Sequence, residues 1–316
     1  MESKQKHIDK SQFERIGADP SVIRSEAGQD TSYWKDAMKR LSRNKAAMAA
    51  LIIIIIITLF SVFVPFFSPY TISEQHLAHT YAPIGFKDPT DGHMHLFGTD
   101  SLGRDIFTRV WYGGRISLFI SFSAVLINFI IGIIYGGIAG YAGGIVDNIM
   151  MRIIEIVNGI PYLIIVILLM MVLPAGTMTM VIAYATVGWT GMARLVRGQV
   201  MSLKQQDYVV AAKVMGARPA RIIVKHLLPN TLSVVIVNIT LSIPSAMFTE
   251  AFLSYIGLGV PVPLASWGTL ANEGSRVFQI YPSQLIIPAI CISLTMLSFN
   301  LLGDGLRDAL DPKLRR

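Results

Sequence analysis

Ile156–Ala193 reads IVNGIPYLIIVILLMMVLPAGTMTMVIAYATVGWTGMA, 38 residues without one charged side chain. As a single helix it would be about 57 Å long, against a bilayer core of about 30 Å. It is too long for one crossing, and Pro174-Ala-Gly-Thr177 in its middle is a turn signal. The stretch reads as a hairpin of two membrane spans. Pro161 should kink the first of them, because proline removes a backbone donor and crowds the preceding turn.

Four further stretches have the same character. Ala46–Phe67 contains the isoleucine run Ile52–Ile57, Ile116–Val146 is uncharged, and Thr231–Thr249 and Ile280–Gly303 follow. Pro244 should kink the fifth span as Pro161 does the third. The chain is 53% hydrophobic and 15% charged, where soluble domains carry about 25% charged residues. The fold class is therefore an all-α membrane protein with six transmembrane helices and no soluble domain or internal repeat. No cleavable signal peptide is expected, because the first apolar run follows 45 polar residues and is long enough to remain an anchor. The single cysteine, Cys291, lies inside the sixth span and reads as a small core residue.

The net charge of +7 is explained by topology. With both termini inside, segments 1–45, 140–155, 194–230 and 304–316 hold 22 of the 27 Lys and Arg residues. The outer segments 68–115 and 256–284 hold only Lys87, Arg104, Arg109, Arg115 and Arg276. That asymmetry is the positive-inside pattern of a cell-membrane protein, and no nucleic-acid partner is called for. Residues 1–31 mix both charges with few aromatics and read as mobile. Trp34, Ala37, Met38 and Leu41 fall at helical spacing within Ser32–Lys45, with Lys35, Lys39, Arg40 and Arg43 between them. This is an interfacial amphipathic helix, either docking to a sister subunit or anchoring on lipid.

In the outer loop, Leu102, Ile106 and Val110 form a stripe beside Phe107 and Trp111. They predict a second interfacial helix before span two, capped by Thr99 or Asp100. His76, His79, His93 and His95 share this loop, without Cys or paired carboxylates nearby in sequence. They read as solvated, and no metal site is expected. Gly132, Gly136, Gly140 and Gly144 recur every four residues on one face of span two, where another helix can approach closely. Asp147 and Glu155 flank Arg152 at the inner mouth of span three and read as ordinary interfacial pairs. Glu250, near the outer end of span five, is either a pathway or gating group or a structural hydrogen-bond partner.

The chain has no Gly-x-x-x-x-Gly-Lys-Ser/Thr loop, no His-Glu-x-x-His and no Gly-x-Ser-x-Gly. It is a poor candidate for an enzyme, and the scarcity of buried ionisable groups argues against an ion-coupled secondary transporter. The segment Asp207–Asn230 then matters most. Asp207–Met215 reads as a helix that Gly216 terminates, and Pro219 suits the first turn of a second helix. Pro229 should mark where that helix stops and span five begins. Ala212 and Gly216 lie one turn apart with Ala211 beside them, a small-residue face that lets a partner approach. Arg218 and Arg221 stand nearby with Lys204, Lys213 and Lys225, suited to an acidic groove.

The spacing Ala211-Ala212-x3-Gly216, then His226-Leu-Leu-Pro229, resembles the "EAA" coupling loop of binding-protein-dependent ABC importer permeases. Phe97-Gly-Thr-Asp-Ser-Leu-Gly-Arg-Asp105, Glu250-Ala-Phe-Leu-Ser-Tyr-Ile-Gly-Leu-Gly259 with Ser266-Trp-Gly268, and Gly303-Asp-Gly-Leu-Arg-Asp-Ala-Leu-Asp-Pro312 narrow it. Together they resemble the C-type permease of oligopeptide and dipeptide importers over residues 32–316. Nickel importers have similar permeases. The resemblance implies the type I importer permease fold, with an ABC transmembrane domain over 112–303 whose coupling loop is 207–230, preceded by a tail over 1–45, a first helix over 46–67 and an outer loop over 68–115, and followed by a tail over 304–316.

The resemblance also implies a homologous sister permease, two ABC ATPase subunits that hold ATP and Mg, and an extracytoplasmic peptide-binding protein delivering peptide. The membrane subunit itself would bind no cofactor and catalyse nothing. Val210, Ala211, Ala212, Gly216, Arg218, Arg221, His226, Leu228 and Pro229 would form the ATPase-coupling loop; Glu250, Pro161 and Pro244 are candidates for gating or the path. Val210 stands where the family has glutamate, so docking should persist with altered electrostatics.

Overall fold

A computed structural model describes residues 33–89 and 92–311. The mobile tail expected over 1–31 lies outside the described residues. Helix α1 (Tyr33–Arg43) leads into α2 (Lys45–Phe67), whose start is capped by the Asn44 side chain. The outer loop holds a two-residue hairpin, β1 (Phe86–Lys87) against β2 (Met94–His95). After it come α3 (Ile106–Ala142), α4 (Gly144–Gly159), α5 (Tyr162–Val172) and α6 (Thr177–Leu203). The inner loop contains α7 (Asp207–Val214) and α8 (Pro219–Ile222), which passes through a π-helical turn at Ile223–Leu227 into α9 (Leu228–Leu253). A second wide turn at Ser254–Leu258, then α10 (Trp267–Arg276) and α11 (Ser283–Leu310), complete the chain.

Among the described residues, α2, α3, the rod Pro219–Leu258 and α11 are long and apolar enough to cross a membrane. The pair α4 and α5 qualifies as a fifth span, broken with a 78° bend. The break falls at Ile160 and Pro161, and Pro161 stands just ahead of α5. The kink expected there is real and sharper than a bend within one helix. The expected turn at Pro174–Thr177 also separates α5 from α6. Helix α6 has the length of a span but is less apolar, with Arg194 and Arg197 in its second half. By contrast, α9 continues through Pro244 as helix.

The outer interfacial helix expected before span two is not a separate element. Ile106 and Val110 of its stripe belong to α3, which at about 1.5 Å per residue extends well beyond the bilayer core, while Leu102 lies in the turn ahead of it. The cap is Asp105, whose carboxylate accepts from the Thr108 amide at 2.7 Å, not Thr99 or Asp100. Asp100 is instead engaged by the Leu102 and Arg104 amides and by two guanidinium groups, described below.

Helices α3 and α6 make the most extensive pairing in the bundle. Side chains at Gly132, Gly136 and Gly140 would collide with Met192, with the Ala193 carbonyl and with the Arg197 carbonyl. The glycine face therefore brings these two helices into backbone contact. Gly144 does not share it, because α3 has already ended at Ala142. The main core gathers Val110, Leu118, Val125, Met247, Trp267 and Phe299 from α3, α9, α10 and α11. Helix α1 lies against its own chain: Ala37 packs with Val237 and Leu310, and Leu41 with Ala47 and Ala309. Trp34 and Met38 remain exposed.

Candidate functional site

The inner loop is built on the ends of α3 and α6. Lys204 Nζ donates to the Gly140 carbonyl at 2.8 Å, and Lys213 lies over the Tyr141 ring. Helix α7 then ends in a Schellman cap. The Ala217 amide donates to the Ala212 carbonyl at 3.0 Å, and the Gly216 amide to Lys213 at 2.9 Å. Gly216 has φ +79°, a left-handed conformation costly for any residue with a Cβ. A Cβ there would touch nothing, so glycine is required by backbone geometry and not by crowding.

The loop has an inner and an outer face. Val209, Ile222 and Leu227 are buried against Val196, Val200 and Val235, and Ala212 is buried as well. Ala212 therefore packs inside the chain and does not offer a small surface to a partner, contrary to expectation. Its smallness lets α7 lie flat on the bundle. The outer face carries Tyr208, Val210, Ala211, Val214 and Met215, and Val214 and Met215 are 83% and 81% exposed. These positions recur at three- and four-residue spacing, so they form one apolar stripe on a basic loop. Arg218 and Arg221 are exposed beside it, His226 and Leu228 are half-buried, and Pro229 is exposed.

Pro229 does not stop a helix. The Leu228 amide bonds back to the Ile223 carbonyl in a widened turn, and the Asn230 side chain donates to the His226 carbonyl at 2.6 Å. The donor lost at proline falls where the helix is already widened, so the rod passes it. Val214, Met215 and Tyr208 were missed from the sequence. The usable signal was apolar residues at i, i+3 and i+4 within an otherwise polar loop.

Above α6, the charges pair differently from their sequence neighbourhood. Arg152 and Glu155 form an exposed pair at 2.7 Å. Asp147 pairs instead with Arg197 of α6, at 2.5 Å from both Nε and NH2. This bidentate contact fixes the start of α4 against α6.

At the opposite end, Glu250 is buried, and accepts from Ser117 Oγ and Ser254 Oγ, each at 2.8 Å. Ser117 Oγ in turn accepts from the Trp267 amide at 3.1 Å, and Trp267 Nε1 donates to the Val110 carbonyl at 2.8 Å. Glu250 thus joins α3, α9 and α10. Nearby, Asp100 accepts from the Leu102 and Arg104 amides, from Arg104 Nε at 2.7 Å and from Arg109 NH1. Glu273 of α10 completes this cluster, 2.8 Å from Arg109 NH1. Gly103 has φ +72°, and a Cβ there would strike the His76 carbonyl.

The outer histidines are not all solvated. His95 is fully buried and bonds through Nδ1 to Asp105 at 2.9 Å; His76 Nδ1 lies 3.0 Å from the buried Asp88, and His79 Nε2 is 3.4 Å from it. The paired carboxylates come from positions the sequence separates, which is why composition of the loop alone could not reveal them.

Comparison with known proteins agrees with this architecture. Residues 103–316 match the model of the binding-protein-dependent transport system inner membrane component, and residues 32–83 that of the N-terminal TM domain of oligopeptide transport permease C. The oligopeptide transport system permease protein OppC of Bacillus subtilis (strain 168) is 50% identical over 310 residues, covering 98% of this chain and 99% of that one. The dipeptide transport system permease protein DppC of the same organism is 52% identical over 286 residues, covering 90% of this chain and 87% of that one. OppC of Escherichia coli (strain K12) is 42% identical over 284 residues, covering 90% and 92%. Among solved structures, the MetNI methionine ABC transporter in an inward-facing conformation aligns with 64% of this chain and 96% of that chain, with a TM-score of 0.51 and 20% identity. That likeness is one of fold: the helices are those of a type I ABC importer permease.

Proposed function

Because the chain belongs to the family of binding-protein-dependent transport system inner membrane components, we propose that it is the membrane-spanning permease subunit of an ATP-driven importer of oligopeptides or dipeptides. The peptide cargo rests on relatives named for oligopeptide and dipeptide transport at 50% and 52% identity. The single observation that carries the coupling role is the exposed apolar stripe on the inner loop. A soluble loop gains nothing from presenting Val214 and Met215 to water, whereas a partner's groove would bury them at about 25 cal/mol per Å².

In this reading α6 is the fourth span in chain order and brings the total to six, its polar half shielded by protein. The basic end, with both termini and the inner loop, is cytoplasmic. Two ATPase subunits bind there, one on this loop and one on that of a homologous sister permease, and they alone carry ATP and Mg. An extracytoplasmic peptide-binding protein delivers peptide to the opposite end, and the assembly sits in the bacterial cell membrane. This chain itself performs no catalysis. Tyr208, Val210, Ala211, Val214 and Met215 grip the ATPase, with Arg218 and Arg221 at the rim. Val210 extends the apolar stripe where a glutamate would interrupt it, so the grip here is more hydrophobic. Gly216, His226, Leu228 and Pro229 shape the loop from behind.

Closure of the ATPases moves the loop, and the rod Pro219–Leu258 carries that movement through the membrane without a joint at Pro229. A differential preference of a few kcal/mol between two states suffices to shift the bundle between inward- and outward-open forms. The break at Pro161 gives α4 and α5 a place to hinge, Pro244 lies within the moving rod, and Glu250 braces the outer end. Purification of the chain in mild detergent from its own cell tests the proposal. ATPase subunits are expected to accompany the native chain and to be lost from Met215→Asp. Equal recovery of ATPase with that variant would sink the coupling role.

A further inference from the structure

We propose that the cavity between the middles of α3, α6 and α9 is a contact site for the backbone amides of the transported peptide, with Asn128 as its main hydrogen-bonding group. The proposal rests on the peptide-importer reading above. The cavity has a volume of about 240 Å³ and is lined in part by Asn128, Tyr184, Asn238 and Ser242. Polar side chains at mid-membrane are costly unless they have partners or a task.

Asn128 is 7% exposed, and its Oδ1 has no hydrogen-bond partner among the described residues. Leaving a buried acceptor unpaired costs about 1–3 kcal/mol, a cost that apolar residues of similar size would avoid. Space for its amide is made by Gly188, where a Cβ would collide with Asn128 Nδ2. Ser242 donates its proton to the Asn238 carbonyl at 2.7 Å, so its oxygen is left to accept.

The cavity adjoins a face of α6 that is ill suited to lipid. Gly191 and Gly198 are exposed there, a Cβ on either would meet nothing, and Arg194 stands exposed between them. Bare backbone and a guanidinium belong against water or protein, not acyl chains. The chemistry of the lining points to backbone rather than side chains. A primary amide offers an acceptor and two donors, the complement of a peptide unit's N–H and C=O. Among the described residues none that lines the cavity is charged, so these side chains have no means to prefer one charge of side chain over the other. Such a site serves cargo of varied sequence.

The test uses the whole importer, with sister permease, ATPases and binding protein, in proteoliposomes. Uptake of tri-alanine is compared with uptake of tri-alanine N-methylated on the amide nitrogen of its second residue, per assembled complex. The native importer should favour tri-alanine. Asn128→Leu should lower tri-alanine uptake by about tenfold, the loss of one well-placed hydrogen bond, and erase most of the preference. Gly188→Ala should do the same by displacing the Asn128 amide. Native uptake and undiminished preference in Asn128→Leu overturn the proposal.

A second measurement does not need those variants. In a Cys291→Ala background, the thiol of Gly191→Cys should be shielded from maleimide when tri-alanine is transported, read by mass on this chain. Labelling that is the same with and without tri-alanine overturns the proposal. If the native importer takes up no tri-alanine at all, the peptide-importer reading fails instead, before any variant is made.

Discussion

Two segments carry the chain's most distinctive patterns, and they use their residues in opposite ways. In Phe97–Asp105 the polar groups turn inward: Asp100 binds two backbone amides and two guanidinium groups, and Asp105 caps α3 while holding His95. In Asp207–Asn230 the distinctive residues turn outward, with Tyr208, Val214 and Met215 exposed. The first segment is complete within one chain. The second is complete only as a folded shape, held by its Gly216 cap, and its surface asks for another protein. A patterned segment is therefore not in itself a docking site; what separates the two is whether its side chains find partners at home.

Variants can break this contrast, beginning where the loss should be greatest. Arg109→Leu takes the buried guanidinium from Asp100, which keeps Arg104, and from the part-exposed Glu273, and should cost about 3 kcal/mol. It should show as a collapse in membrane-inserted protein and in thermal stability in detergent; near-native stability would mean the outer cluster does not hold the fold. Glu250→Leu comes next, stranding two serine hydroxyls at about 1–3 kcal/mol. Glu250→Gln should recover much of that stability. Full stability in the leucine variant with transport abolished would point to gating and away from bracing.

At the inner loop the expected effects on stability shrink while those on assembly grow. Gly216→Val forces a β-branched residue to φ +79°, a strain of about 1–3 kcal/mol confined to an exposed turn. Insertion should persist and ATPase co-purification should fall; ordinary assembly and transport would show that the cap does not shape the docking face. Val210→Glu should be mildest, because the side chain is half-exposed and such surface changes usually stay within about 0.5 kcal/mol. Transport within about twofold of native is expected by the same yardstick. A large loss would show that the valine enters a specific apolar pocket on the ATPase.

The spans α2, α3 and α11, the turn at Pro174–Thr177, the break at Pro161 and the cap at Gly216 were all legible from composition and local chemistry. Each depends on residues adjacent in sequence, or on the plain need to match a bilayer. The family motifs located the inner loop equally well. What could not be read was which way its residues face. Ala212 and Ala211 are alike in sequence, yet one lies under α7 and the other on top. The stopping power assigned to Pro229 failed for a similar reason, since a widened turn five residues long absorbs the missing donor.

The sequence alone determined that this chain crosses a membrane repeatedly, which end is basic, where the loop lies and which residues give that loop its turn. These follow from local apolarity, charge counts and backbone stereochemistry. Only the tertiary structure decided that Asp147 belongs to Arg197, that His95 is buried between carboxylates, that Glu250 joins three helices and that Asn128 faces a cavity with an unpaired oxygen. Those pairings bring together groups far apart along the chain, and the energy of a buried polar group is set by what surrounds it in space.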